Sequence, residues 1–202
     1  MAHAQIAAFP SLAEENTIPN RMIAGQKPRL SRTMHDIRYD HINDEFIVNN
    51  PFAYAVLVFR GGADGEEPPI RVIQGPKTLI GSSSRLEVDP LNDEILVPER
   101  VGVLVFNREA EGDVAPKRIL KNAGRGGGIV VDPVHELLIV GGGGNNLNPA
   151  SIRIFNRTAE GDEKPLRTIG GPNSGIVRAL QLQVHPPNRL VRRPAARRER
   201  NL

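Results

Sequence analysis

The chain has 202 residues, enough to bury a sizeable core, and it contains no Cys and no Trp. Without Cys there is no disulfide, thiolate metal site or cysteine nucleophile, and no apolar run is long enough to cross a membrane as a helix. The net charge of +3 is uneven, because residues 178–202 hold seven Arg and one Glu while the rest is mildly acidic. Residues 1–10 lack the basic start and long apolar stretch of a signal peptide, which leaves the compartment unknown.

The predicted elements are short strands separated by turns that are rich in Gly and Pro. Residues 1–33 read as the second half of a repeat unit, with strands at 5–9 and 20–24. A first complete unit covers 34–84, and its four strands are predicted at 36–40, 45–48, 55–59 and 70–73. The second unit, 85–128, and the third, 129–177, repeat this order of strands. No helical periodicity of ten or more residues occurs.

The last two strands of each unit share a spacing that starts from a Phe. Counted from that Phe, Ala stands at +4, an acid at +5, Pro at +10, Arg at +12 and Ile or Leu at +14. The four copies start at Phe9, Phe59, Phe106 and Phe155, so the repeat is about 47 to 50 residues long. Several strands are apolar on both faces, as in a sheet packed between two others. The pattern predicts an all-β fold, a β-propeller of four-stranded antiparallel blades, with about four blades and partial blades at both ends.

Repetition in every unit predicts structural roles. The repeated Phe and Ile are expected to fill the gaps between blades. The repeated Arg are expected to pair with the acids of the turn at +5 or with a neighbouring blade; the Arg are Arg21, Arg71, Arg118 and Arg167, and the acids are Glu14, Asp64, Glu111 and Glu160. Equivalent hairpin turns begin at Asp40, Asp89 and Asp132, where an Asp side chain typically bonds its own backbone. The glycine runs at 124–128 and 141–144 lack phosphate-loop spacing and are expected to be flexible connections.

The final segment departs from the repeat. Residues 179–184 have the pattern of a first strand, and His185 follows where the other units have Asp. Residues 192–202 then abandon apolar patterning for Arg. Two explanations stay open: a genuine basic tail, or a reading frame that has shifted out of a longer repeat protein. Residues 178–202 are therefore expected to form the start of an incomplete blade followed by a disordered, Arg-rich tail.

These repeats resemble the NHL-type β-propeller repeats of bacterial proteins. The resemblance is carried by residues 129–133, 94–97 and 103–120, and it extends over most of 6–186. It implies a propeller, which in this family commonly has six blades, and a function that ranges from protein or RNA binding to sensing, lyase and lactonase activity.

The candidate site lies on the face that bears the loops between the second and third strands, around the central channel. Its candidate binding residues are Asn49, Asn50, Glu99, Arg100, Asn145 and Asn146. Residues at the starts of first strands, His35, Asp36 and Arg85, are expected at the channel mouth. No catalytic residue is assigned. Lactonase-like propellers hold a divalent cation with Glu, Asn and Asp, and Asn49, Glu99 and Asn145 would make a fragment of such a calcium site.

The sequence thus favours a non-catalytic binding or scaffold module, with a protein or small-molecule ligand on the channel face. The alternative is a metal-assisted lactonase or lyase with its site in the channel. A third interpretation is an RNA-binding fragment that uses the Arg-rich tail, which is the only part of the chain expected to bind nucleic acid. Open blade edges would also permit self-association.

Overall fold

Fourteen short strands and three single turns of 3-10 helix make up the regular structure of the described residues. The computed structural model describes residues 4–32, 34–121, 123, 126–142 and 150–184. The strands are β1 Gln5–Ala8, β2 Arg21–Ala24, β3 Ile37–Asp40, β4 Glu45–Asn50, β5 Ala55–Arg60, β6 Arg71–Gln74, β7 Glu87–Asp89, β8 Glu94–Glu99, β9 Gly102–Asn107, β10 Arg118–Leu120, β11 Gly126–Asp132, β12 Leu137–Gly142, β13 Ser151–Asn156 and β14 Arg167–Gly170. The 3-10 turns are Pro51–Ala53, Pro76–Thr78 and Pro172–Ser174.

Each sheet is an antiparallel meander in which chain neighbours are sheet neighbours. Blade 1 has the order β3-β4-β5-β6, blade 2 has β7-β8-β9-β10 and blade 3 has β11-β12-β13-β14. The strands β1 and β2 form a two-stranded sheet, here called the half-blade, and they carry the spacing of a third and fourth strand. The predicted all-β fold of four-stranded antiparallel blades is confirmed. In the described part of the chain, no helix is long and apolar enough to span a membrane.

Successive blades are joined by one backbone motif, which the described residues show three times. The fourth strand of each blade makes a parallel bridge to the glycine at +6 from the next blade's Phe, in the pairs Ile23–Gly65, Ile73–Gly112 and Leu120–Gly161. Each glycine both donates and accepts: the Gly112 N–H bonds the Val72 carbonyl at 2.7 Å, and the Gln74 N–H bonds the Gly112 carbonyl at 3.1 Å. All three glycines have positive φ, from 58° to 70°, which Gly adopts most readily.

Apolar side chains fill the space between blades. Between blades 1 and 2, the branched residues Ile47, Val56, Val58 and Ile73 meet Leu104 and Phe106 from the next blade. Between blades 2 and 3, Leu96, Val103, Val105 and Leu120 meet Phe155 in the same way. The repeated Phe in the third strand of each four-stranded blade is therefore buried, at 0% exposure for Phe59 and 1% for Phe106 and Phe155. Each blade completes its core only against its neighbour.

A buried carboxylate lies at two of these junctions and is held by arginines from both sides. Glu45 bonds Arg71 of its own blade at 2.5 Å and Arg108 of the next blade at 3.3 Å. Glu94 bonds Arg118 of its own blade at 2.8 Å and lies 3.5 Å from Arg157 of the next blade. Of the two expected kinds of partner, the turn acids are wrong for Arg71 and Arg118, while Arg118 does contact the neighbouring blade through the Arg157 carbonyl at 3.0 Å. Their acid is instead the first residue of the second strand of the same blade, which reaches across the third strand to the fourth.

Two other expectations concern the turns and the glycine runs. The Asx turns are confirmed: the Asp40 carboxylate accepts from the Ile42 and Asn43 N–H groups at 2.9 and 3.0 Å. The glycine runs, in contrast, are not merely connections, since 126–128 belong to β11 and 141–142 to β12. A side chain on Gly127 would collide with the Gly141 carbonyl, so close backbone approach favours Gly there. The remaining residues of the two runs lie outside the described residues.

The segment after blade 3 differs from its prediction as well. No strand is found within residues 179–184, although a first strand is expected there. The segment instead crosses β11, where the Gly128 N–H donates to the Ala179 carbonyl at 2.9 Å. It also receives the Arg85 guanidinium at the Leu180 carbonyl, 2.8 Å away. The expected tail, 185–202, lies outside the described residues.

We predict that Glu94→Ala destabilises the protein by about 3–5 kcal/mol, because it leaves Arg118 and Arg157 buried without their shared acceptor. Burial alone would raise the pKa of Glu94, but bonds from Arg118 and Lys117 outweigh it and hold that pKa below its usual value. The stabilisation is therefore present above the unfolded-state pKa of about 4.3 and is lost as pH falls through the folded-state value. Urea unfolding of both proteins between acidic and neutral pH measures this.

The matched control is Glu109→Ala, which removes an exposed partner of Arg108 and should change stability by about 0–1 kcal/mol. An equal loss in both variants at neutral pH, or a Glu94→Ala deficit that does not shrink in acid, would contradict the buried role of Glu94.

Candidate binding site at the channel face

The first strands of the three blades surround a cavity of about 480 Å³, here called the axial cavity. Its lining includes Arg38 of β3, Glu87 of β7, Val130 of β11 and Gln183 of the segment that follows blade 3. Three of these stand two residues before the Asp that begins the hairpin turn, and Gln183 stands two before His185. One equivalent position from each repeat therefore faces a common space, and here the repeats differ in charge.

The charged groups of the axial cavity form a single ionic group. The Arg38 guanidinium contacts Asp36 at 2.5 Å and Glu87 at 3.3 Å, so one cation serves two carboxylates. Asp36 also accepts from the Leu86 N–H at 3.2 Å, which connects blade 1 to blade 2. Burial raises the pKa of Glu87, and the bonds from the Val88 N–H and from Arg38 offset this only in part. The cavity therefore presents both a partly buried acid and a guanidinium to a ligand.

The Arg85 guanidinium bonds three carbonyl groups, one of which belongs to Leu180, the residue before the cavity residue Gln181. The guanidinium donates to Leu180 at 2.8 Å, to Ser84 at 3.1 Å and to His35 at 3.4 Å. These bonds tie the starts of blades 1 and 2 to the segment after blade 3. Of the residues predicted at the channel mouth, Arg85 contacts the His35 carbonyl, and Asp36 bonds the N–H of Leu86, the residue after Arg85. Arg85 is therefore in a structural position.

Asn50 and Glu99 occupy the same position at the ends of β4 and β8, and both are buried. The Asn50 amide donates to the Arg29 carbonyl at 2.8 Å. The Glu99 carboxylate accepts from the Gly81 and Ser83 N–H groups at 2.8 and 3.1 Å. In each case the side chain holds the connection that enters its own blade. Glu99 therefore has its hydrogen bonds within the fold, whereas the Asn50 side-chain oxygen is buried and has no hydrogen-bond partner among the described residues.

Asn49 links two blades. Its amide donates to the Arg85 carbonyl at 3.3 Å, and the Ser83 hydroxyl donates to the same carbonyl at 3.1 Å. The Asn49 side-chain oxygen is buried and has no hydrogen-bond partner among the described residues. Arg100, in contrast, is exposed in the turn after β8. Asn145 and Asn146 lie outside the described residues.

No three His, Asp or Glu side chains converge within the described ranges. Of the predicted calcium fragment, Glu99 already accepts two backbone N–H groups, and Asn49 offers one oxygen. Asn145 lies outside the described residues. We therefore derive no chemistry through a metal.

Sequence reasoning missed Arg38, Glu87 and Gln183. A usable signal was present: Arg38 and Glu87 stand second before the turn in a first strand, and Gln183 stands at the matching position of the sequence pattern. Alternate residues of a strand share one face. The aligned position reads Arg, Glu, Val and Gln, whereas the positions on either side of it are mostly apolar. Charge variation at a fixed repeat position was therefore the informative feature, rather than polar residues in loops.

Burial of Glu99 yields a pH-dependent prediction. Burial raises the pKa of this carboxyl despite bonds from the Gly81, Ser83 and Arg100 N–H groups. A raised folded-state pKa means that the folded protein gains stability as pH falls through it. We expect the unfolding free energy of the wild type to rise relative to Glu99→Gln as pH falls below neutral. The rise should level off below the unfolded-state pKa of about 4.3.

Thermal or urea unfolding of the two proteins across this range measures the difference. A gap that stays constant with pH would show that Glu99 does not titrate in a buried setting.

No protein-family model matches the chain, and a search of curated proteins finds no match. Among solved structures, the chain is similar to one from a crystal structure of the eukaryotic initiation factor, with a TM-score of 0.50 and 13% sequence identity. The match covers 76% of this chain and 39% of the other, so this chain spans about two fifths of that protein. At this identity the likeness concerns the fold alone, and it agrees with a propeller-like all-β architecture.

Proposed function

We propose that the chain is a set of NHL-like propeller repeats that acts as a non-catalytic binding or scaffold module, with its ligand at the channel face. The observation that carries the proposal is the axial cavity, where the repeats place Arg38, Glu87 and Gln183 together. These are side chains that the repeat itself does not require, because the aligned position in blade 3 is Val130.

The residues that do repeat support this proposal by their roles. The buried Phe, the bridging Gly and the Arg–Glu pairs all serve the junctions between blades. Their function is packing, so the variable residues that line the axial cavity are the ones that recognise a specific ligand. In repeat proteins, the residues that recur in every repeat usually maintain the structure, and the residues that vary between repeats usually recognise the ligand.

The chemistry of the cavity indicates the class of ligand. A space of about 480 Å³ suits a small molecule rather than a folded domain. The Arg38 Nε and Nη1 already bond Glu87 and Asp36, so Arg38 offers its Nη2 donors to a carboxylate or phosphate. Glu87 and Gln183 offer acceptors to an amine or hydroxyl. A small ligand that carries both an anionic group and a donor fits this arrangement, as in a free amino acid or a hydroxy acid.

We predict that a panel of amino acids and hydroxy acids contains a ligand that raises the melting temperature. At about 100 times its Kd, such a ligand adds about 2.7 kcal/mol to the unfolding free energy. Arg38→Met keeps the aliphatic stem but removes the donors, so it should abolish the shift. The control Arg60→Met breaks an Arg–Glu pair at the surface, with Arg60 58% exposed, and should retain it.

Differential scanning fluorimetry followed by calorimetry measures both variants. The proposal of an axial ligand is wrong if no compound binds, or if a ligand binds equally to the wild type and to Arg38→Met.

A second test separates a binding module from a metal-assisted enzyme. We expect dialysed protein to contain well under one divalent ion per chain by elemental analysis. We also expect added calcium not to accelerate hydrolysis of simple lactones. One tightly held ion per chain, or calcium-dependent turnover, would favour the enzyme instead.

A further inference from the structure

On the side of blade 3 that faces away from blade 2, apolar side chains are partly exposed, whereas the equivalent side chains of blades 1 and 2 are buried. These side chains, here called the isoleucine face, are Ile139, Ile152, Ile154 and Ile169. Each of them stands at the same position in its sheet as one residue of each other blade. The equivalent residues are Ile47, Val56, Val58 and Ile73 in blade 1 and Leu96, Val103, Val105 and Leu120 in blade 2. Those eight side chains are all 0% exposed, whereas Ile169 is 49% exposed and Ile139 and Ile152 are only half-buried.

The half-blade exposes the opposite partner. In each junction the following blade contributes its Phe and the Ala at +4; Phe59 and Ala63, like Phe155 and Ala159, are at most 3% exposed. In the half-blade the same positions are Phe9 and Ala13, here called the Phe9 face. Phe9 is 54% exposed and Ala13 is also exposed. In the isoleucine face, Ile154 is only 9% exposed and Ile169 is the most open member.

The polar groups of the two faces match as well. At the junction between blades 1 and 2, Glu45 pairs with Arg108 across the interface. Blade 3 has Leu137 at the Glu45 position, and the half-blade has Ser11 at the Arg108 position. Both halves of the ion pair are replaced together, so contact between these faces buries no unpaired charge from that pair.

The two open faces also carry the groups for one more contact between blades, a hydrogen bond from an arginine side chain to a backbone carbonyl. Arg21 of the half-blade donates to the Gly61 carbonyl, at the junction where blade 1 lacks the cross-junction arginine. Arg167 of blade 3 and Ser11 of the half-blade stand at the equivalent positions of the two open faces. Arg167 is exposed, so it is available to donate to the Ser11 carbonyl of another molecule.

The turn that carries the backbone bridge is also preserved in the half-blade. At +6 from Phe9 the half-blade has Glu15 instead of the bridging glycine, yet its φ of 42° is positive like that of the glycines. At +7, Asp113 of blade 2 accepts from the Lys77 N–H at 2.7 Å. The half-blade has an exposed Asn16 there, whose amide oxygen can accept the same kind of bond. Both backbone contacts of the junction are therefore possible at the Phe9 face.

We propose that the isoleucine face of one molecule binds the Phe9 face of a second copy of this chain. The contact continues the blade-to-blade junction that the described residues show three times, with Phe9 in the place of Phe106 or Phe155. The two surfaces are different, so the association is head-to-tail. Because each junction advances around the channel axis, a small number of copies can close into a ring.

Sedimentation or light scattering of the full chain tests the association. We expect a mass at least twice that of the 22.1 kDa chain. Phe9→Glu and Ile169→Glu each place a charge in the contact and should weaken association by about 100-fold or more, since an unpaired buried charge is costly. Both residues are largely exposed within one molecule, so neither change is expected to unfold it. The control Phe52→Glu changes a side chain that is 71% exposed and belongs to neither face.

Mixing the two disabled variants gives the decisive result. Phe9→Glu keeps an intact isoleucine face and Ile169→Glu keeps an intact Phe9 face, so the mixture should form a dimer with one copy of each. Neither variant alone should do so. A monomeric wild type, association that survives both substitutions, or a mixture that stays monomeric would each overturn the proposal. This test is independent of any axial ligand.

Discussion

The rest of the structure depends on the junction between consecutive blades. A single sheet of this chain cannot complete a core on its own, because its strands are apolar on both faces and need a neighbour on each side. The junction solves this with the same parts each time: a backbone bridge to a glycine, a Phe in the gap and branched side chains opposite it. Stability is therefore a property of pairs of blades.

The ionic part of the junction explains why Arg71 and Arg118 are tolerated with little exposure. Glu45 and Glu94 would be costly to bury alone, and each receives one guanidinium from its own blade and another from the next. A charge shared between blades also sets their register, since a slipped blade would leave it unpaired. Where the Glu is absent, in blade 3, the position holds Leu137, and the chain avoids the problem altogether.

The candidate site was less predictable than the fold. Repetition identified the strands of the three blades and the buried Phe59, Phe106 and Phe155 correctly, because fixed offsets reflect fixed packing. The predicted loop residues Asn50 and Glu99 were polar for a structural reason, namely the backbone groups of the connection that enters each blade. Arg38 and Glu87 were missed because their strands are short and the residues lie 49 positions apart. Only curvature of the three sheets around one axis brings them within 3.3 Å.

By itself, the sequence determined the unit of construction: the order and approximate positions of the strands, the turns and the Phe residues that pack between blades all follow from local pattern and repeat spacing. The tertiary structure alone decided which acid each repeated arginine meets, which side chains share the axial cavity and which faces stay open. The physical reason is the range of the interactions. Strand and turn preferences act over a few residues, whereas ion pairs and apolar contacts between blades join residues one repeat apart, and those contacts exist only after the blades have packed.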